Sequence, residues 1–212
     1  IICTGFMHDA LAQQQIFKNY TVNDGLISNT VRRIFQDSKG FLWIATWDGL
    51  SKYDGYSFTN FSTANGLSHS LVNDVCETKD GSLLIFLNNK TIDIIKDNKV
   101  FNNALYTNAT INQVVTSGSH HAILATDSEG LQELQEGKII RPKQDFPNRT
   151  YFDLLWLNDS IFVAAGDTSI GIFNSQYSLL TEIKEKGFLY SPGKIYKDNK
   201  QQIWIANNNG LR

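Results

Sequence analysis

The chain has 212 residues, 42% of them hydrophobic and 19% charged, with a formal net charge of −2. This is the composition of a folded domain, not of a disordered or collagen-like segment. Its 19 Lys and Arg residues are scattered along the chain, which argues against a basic nucleic-acid surface, and no apolar run approaches the roughly 18 residues of a membrane helix.

The N-terminal stretch, residues 1–12, has an apolar run from Ile1 to Met7 and then Ala10-Leu11-Ala12. It reads as the end of a secretory signal peptide whose charged beginning is missing. From residue 13 the chain is expected to be one all-β domain. A turn motif, NDGLISNTV at 23–31, is followed by short runs rich in β-branched and aromatic residues at 31–36, 41–47, 50–54 and 58–61, with turn residues DSKG, WDG and DGY between them. These runs predict four antiparallel strands. The turn returns as NGLSHSLV at 65–72. Cys76, in VNDVCET, is expected to be a small buried hydrophobe.

Alignment on Trp43 extends the repeat through the chain. Equivalent positions are Trp43, Leu84, Ile123, Phe162 and Trp204, spaced by 41, 39, 39 and 42. Two residues later stand Ala45, Phe86, Ala125, Ala164 and Ala206; an upstream apolar position recurs as Ile34, Val75, Val114, Leu154 and Ile195. Four strands in about 40 residues, stacked on copies of themselves, predict a β-propeller. The strand pattern excludes helical repeats, and a β-sandwich would not demand so fixed a register. The blades are expected at about 31–62, 72–103, 111–141, 151–183 and 194–212, a partial arc of about four and a half. Because closure protects strand edges, such an arc is expected to be a fragment of a longer protein. Trp43 and Trp204 are both expected in the core.

In a four-stranded meander, the loops between the second and third strands share one face with those joining consecutive blades. The first set carries Trp47, Asp48, Asn88, Asn89, Asp127, Asp167, Asn207 and Asn208; the second carries Asn29, His69 and Asn108. Asn and Asp hydrogen-bond hydroxyl-rich ligands, and an exposed Trp offers a face to a sugar ring. The same residues are also ordinary turn formers. The pair His120-His121 points to opposite faces of a strand, so no metal site is expected. No catalytic residue and no cofactor are expected either, since no nucleophile-elbow, zinc-protease, C-x-x-C or P-loop spacing occurs.

Residues 17–62 carry Gly25-Leu26, Ile34, Asp37, Gly40, Leu42-Trp43-Ile44, Thr46, Gly49-Leu50 and Tyr53-Asp54. In this order they resemble the two-component-regulator propeller repeat, and 195–212 match it apart from Gln201 and Asn207; the three middle repeats are degenerate. The resemblance implies the N-terminal periplasmic propeller of a Bacteroidetes-type hybrid two-component sensor. It implies a parent protein anchored in the inner membrane by a downstream helix, with a histidine kinase further along, and no enzyme activity in this segment. An oligosaccharide ligand, a homodimer formed through the parent protein and no nucleic-acid contact are the implied partners. Trp47 is the leading contact residue, since the family pattern usually has a small or polar residue there.

Two other functions use a propeller. A sialidase-like glycosidase or a lyase built on a propeller would need an arginine cluster or a general base. Only Arg32, Arg33, Arg141, Arg149 and Arg212 are available, and His69 is the one histidine in the loops named above. A protein–protein scaffold would use the same loops as a sensor.

Overall fold

The computed structural model describes residues 17–116, 122–147, 149–184, 194–207 and 210–211. The signal-like segment 1–12, Cys3, His120, His121 and Asn208 lie outside them, as does the side chain of Asn207. The described residues form an all-β propeller of five small antiparallel sheets, four of four strands and one of three.

The first sheet contains β1 (Val31–Gln36), β2 (Leu42–Thr46), β3 (Leu50–Tyr53) and β4 (Phe58–Phe61). The second has β5 (Val72–Glu77), β6 (Leu83–Leu87), β7 (Thr91–Lys96) and β8 (Lys99–Tyr106). The third has β9 (Ile111–Thr116), β10 (Ala122–Thr126), β11 (Leu131–Gln135) and β12 (Lys138–Ile140). The fourth has β13 (Tyr151–Asn158), β14 (Ile161–Gly166), β15 (Ile170–Asn174) and β16 (Leu179–Ile183). The fifth has β17 (Lys194–Lys197), β18 (Ile203–Asn207) and β19 (Gly210–Leu211). Each is an up-and-down meander in sequence order.

Side chains alternate across a strand, so each sheet presents one face to the sheet before it and one to the sheet after. The cores accordingly lie between sheets. Trp43, Ala45, Leu50 and Phe61 of the first sheet pack on Val75, Leu83 and Ile85 of the second. Similar layers join the second to the third, the third to the fourth and the fourth to the fifth. Cys76 is buried in the second of these layers, as its sequence context suggested.

The recurring turns have a common construction. Thr21 and Ser62 cap short 3₁₀ turns, Val22–Asp24 and Thr63–Asn65, each with a reciprocal capping box, and Gly25 and Gly66 end them at φ +103° and +114°. Positive φ is open to glycine at little cost, which explains the repeated Asx-Gly and Asn-Gly. The β1–β2 turn is held by Asp37: one carboxylate oxygen accepts from Lys39 N and Phe41 N, and the other accepts from Trp43 Nε1 at 2.8 Å. Asp198 makes the same three bonds, to Lys200 N, Gln202 N and Trp204 Nε1.

Three sequence expectations are corrected. Pairing of Ile34 with Ile44 and of Leu154 with Ala164 shows that Val163, not Phe162, is the equivalent of Trp43. A two-residue turn at Asp159–Ser160 starts β14 one residue early, and the register shifts between Trp156 and Asn158. The small position in that sheet is therefore Ala165. Trp204 is 37% exposed, against 3% for Trp43. Its outward face has no following sheet packed on it among the described residues. Ile34 is 60% exposed for the complementary reason, while Val75, Val114, Leu154 and Ile195 are buried.

Neighbouring sheets are also joined through polar groups on their first strands. The residue before the recurring apolar position is Arg33, Asp74, Gln113, Asp153 and Lys194. Asp74 accepts from Val114 N at 2.9 Å, Gln113 from Leu154 N, and Asp153 from Ile195 N at 2.6 Å. Each bond thus reaches the backbone of the next sheet. Arg33 Nε lies 3.3 Å from Asp74, and Lys194 Nζ 3.0 Å from Asp153. One residue earlier, Asn73 and Asn112 donate to the carbonyls of Ile111 and Tyr151.

Burial raises the Asp74 carboxyl to about 6, outweighing the pull of Arg33, the amides of Val114 and Val75, and Lys194. A pKa raised on folding means that the folded state binds the proton more tightly. This stabilisation is full below the unfolded value near 3.8 and is lost as pH rises through 6. Relative to Asp74→Asn, the native chain is therefore expected to lose about 2 kcal/mol between pH 4 and pH 7. Urea denaturation of both proteins across that range checks this.

Candidate functional site

The meander places the β2–β3, β6–β7, β10–β11 and β14–β15 loops at the same end of the propeller as the connections between sheets. One recurring bond fixes this arrangement within each of the first four sheets. Trp47 N donates to Thr30 O, Asn88 N to Leu71 O, Asp127 N to Thr110 O and Asp167 N to Thr150 O, at 3.0–3.3 Å. Each loop that follows a second strand is thereby stapled to the segment leading into its own sheet. Between the third and fourth sheets, Gly130 N donates to Arg149 O at 2.7 Å and the Thr150 hydroxyl to Asp127 O. The result is a row of loops on a rigid support, the setting in which binding side chains usually sit.

The candidate side chains divide by what they touch. Asn89 accepts from Thr91 N and its hydroxyl and donates to Ser68 O. Asn88 accepts from the Asn73 amide, and Asp127 from Thr110 N and the Ser128 hydroxyl. These three build the loops, although their exposed atoms can still meet a ligand. His69 is half-buried, and its Nδ1 accepts from Leu71 N at 3.0 Å. Its loop is tied down by buried Asp93, which accepts from Ser68 N, the Ser68 hydroxyl and Asn103 N.

Three groups remain uncommitted. The Trp47 indole is 52% exposed. Asp48 is exposed, and among the described residues only its backbone amide is bonded, to the Thr46 hydroxyl. Asp167 Oδ1 is buried with no partner among the described residues. On the same face, Asn108 borders a hollow of about 210 Å³ with Arg141 and Glu129, which pair at 3.0 Å. Together these residues offer an aromatic face, carboxylates, amides and a guanidinium, a set suited to a polyhydroxylated ligand.

Sequence reasoning missed Asp93 and the inter-sheet series of Asp74, Gln113 and Asp153. Their signal was a polar residue repeated at the same register inside apolar strands.

Comparison with known proteins agrees with this architecture. Residues 25–48 match the model of the family described as two component regulator propeller. Over 61 residues the chain is 41% identical to a protein named histidine kinase P4 from Formosa agariphila; that stretch is 27% of this chain and 4% of the relative. The fold superposes, with a TM-score of 0.73, on the extracellular domain of a protein assigned as a hybrid two component system in B. thetaiotaomicron, at 20% identity, covering 92% of this chain and 30% of the other. A gluconolactonase from Xanthomonas campestris shares the fold at 10% identity and a TM-score of 0.58, covering 85% of this chain and 70% of the enzyme. The chain thus spans a small part of the two signalling relatives. Residues 25–48 thus match the two component regulator propeller repeat, and the chain shares its propeller fold with that extracellular domain.

Proposed function

We propose that this propeller is a ligand-sensing portion of a periplasmic ectodomain in a hybrid two-component protein, and that its ligands are oligosaccharides. The observation that carries this reading is the stapled loop face, whose first loop carries the exposed Trp47 indole and an exposed Asp48 carboxylate with no partner among the described residues. Aromatic stacking against a sugar ring and hydrogen bonding to its hydroxyls need those two kinds of group on a fixed support. Asp167, Asn88, Asn89, Asp127 and His69 extend the face around the arc, with Asn207 and Asn208 at the equivalent place in the fifth repeat. A histidine kinase in the parent protein would read occupancy through a dimer. The ligand must then favour one dimer arrangement, because equal affinity for both would shift nothing.

Titration of the chain against a panel of oligosaccharides tests the reading. A saturable ligand is expected, and Trp47→Ala is expected to weaken it by about tenfold or more, the cost typical of losing a buried aromatic anchor. A chain that binds no member of the panel, or one that cleaves what it binds, would refute it.

A further inference from the structure

One third-strand position ties the incoming segment to each of the first two sheets. The residues paired there with Ile44, Ile85, Leu124 and Ala164 are Ser51, Asp93, Gln132 and Gly171. Ile27 N donates to Ser51 Oγ at 3.0 Å, and Ser68 N to Asp93 Oδ2 at 2.7 Å. Each donor stands three residues before the carbonyl that staples the loop, Thr30 or Leu71. The same register in the fourth sheet gives Pro147, which has no N–H, and Gly171, which has no side-chain acceptor. Donor and acceptor are lost together there.

The third sheet keeps the acceptor and loses the donor. Its residue in this register is Thr107, whose amide turns away to Lys90 O at 2.9 Å. The connection is only Thr107–Thr110, against Ser62–Leu71 for the second sheet. Gln132 is 4% exposed, and its Oε1 has no donor among the described residues. An unmet buried acceptor is costly, and this one lines the hollow of about 210 Å³ on the loop face. Ile139 and Tyr106 give the hollow apolar surface, and exposed Asn108 lines it as well. Arg141 and Glu129 satisfy each other at 3.0 Å, so the lining leaves no charge for an ionic ligand.

We propose that this hollow is a subsite for an N-acetylated amino sugar, whose acetamido N–H takes the place of the absent backbone amide on Gln132. The proposal rests on the reading of this face as an oligosaccharide site, and names one sugar of that ligand. The group that fills the position in the first two sheets is a secondary amide preceded by a buried apolar residue, Leu26 or Leu67. An acetamido group is likewise a secondary amide, with a methyl that Ile139 receives, while ring hydroxyls meet the Asn108 carboxamide. A peptide carries the same amide. The hollow, however, holds only about seven waters of about 30 Å³, which suits a single sugar and not a capped turn like Ser62–Leu71.

The test is an NMR titration of the isotopically labelled full chain with N-acetylglucosamine and N-acetylgalactosamine, each against its parent hexose. At least one acetamido sugar is expected to saturate, shifting Thr107, Asn108 and the Gln132 side-chain amide. Its parent hexose is expected to bind about tenfold more weakly or worse, since a site built for an N–H rejects the analogue without it. Gln132→Leu is expected to abolish that preference. It should also raise the thermal midpoint by about 2–4 °C, because an unmet buried acceptor is removed. The proposal is overturned if neither acetamido sugar saturates, if the parent hexose binds equally, or if the preference survives Gln132→Leu. Equal binding of N-acetylalanine methylamide would overturn it too, in favour of a peptide. Oligosaccharides that bind through Trp47 while both acetamido sugars fail would refute the subsite alone; a chain that binds no sugar refutes both readings.

Discussion

Trp43→Ala is expected to destabilise the chain by about 3–5 kcal/mol, the range for emptying a buried aromatic site. Trp43 is 3% exposed, and its ring lies 5.6 Å from that of Phe61. It also fills the layer against Val75 and Leu83 of the next sheet. Its loss would leave Asp37 Oδ2, on a buried residue, without the indole donor, and an unmet buried acceptor costs more than the bond contributed. Trp204 is likewise followed by Ile-Ala and donates its indole N–H to the matching turn carboxylate, Asp198, yet it is 37% exposed. Trp204→Ala is therefore expected to cost only about 1–2 kcal/mol. Denaturant midpoints of the two variants measure the difference. Equal losses would mean that the local motif, not the sheet-to-sheet layer, supplies the stability.

Gly49→Ala is expected to be nearly as damaging, by about 2–4 kcal/mol. Gly49 sits at φ +143°, and a Cβ there would lie 2.3 Å from Phe61 O and 2.7 Å from Ile27 Cδ1. The first is backbone of β4, paired with the adjacent Leu50, so relief requires moving a strand. Gly40 is the control. Its φ is +88°, but nothing lies within 4 Å of an added Cβ, so Gly40→Ala carries only conformational strain of about 1–2 kcal/mol. Comparable unfolding curves for the two variants would contradict the crowding.

How much of this was legible in the sequence depended on whether the information was local. The strands of the first unit and the Asp-Gly turns were readable because alternation and turn chemistry act within a few residues. The propeller followed from the recurrence of Trp43, Leu84, Ile123 and Trp204. The fourth repeat misled by one residue because Phe162 supplies aromatic bulk beside the true equivalent, Val163; only pairing with Leu155 fixes the register. Trp204 misled for another reason. Its burial is a property of what packs on its sheet, which its own sequence does not encode.

The site was legible to a similar depth. Meander geometry placed Trp47, Asp48, Asn88, Asn89, Asp127, Asp167 and His69 on one face. It could not say that Asn89 and Asp127 hold their loops while the Asp48 carboxylate has no partner among the described residues, since that depends on side-chain hydrogen bonds. The polar joints from Asp74, Gln113 and Asp153 to the next sheet were hidden because the residue type changes at every repeat.

Backbone amide shifts of the isotopically labelled chain, followed by NMR as an oligosaccharide found in the binding panel is added, test the functional reading most directly. The largest changes are expected at residues 47–48, 88–89, 127–128 and 167–168, with the Trp47 indole N–H among them. Changes confined to the turns at 37–41 and 78–82, at the opposite end of the propeller, would contradict it.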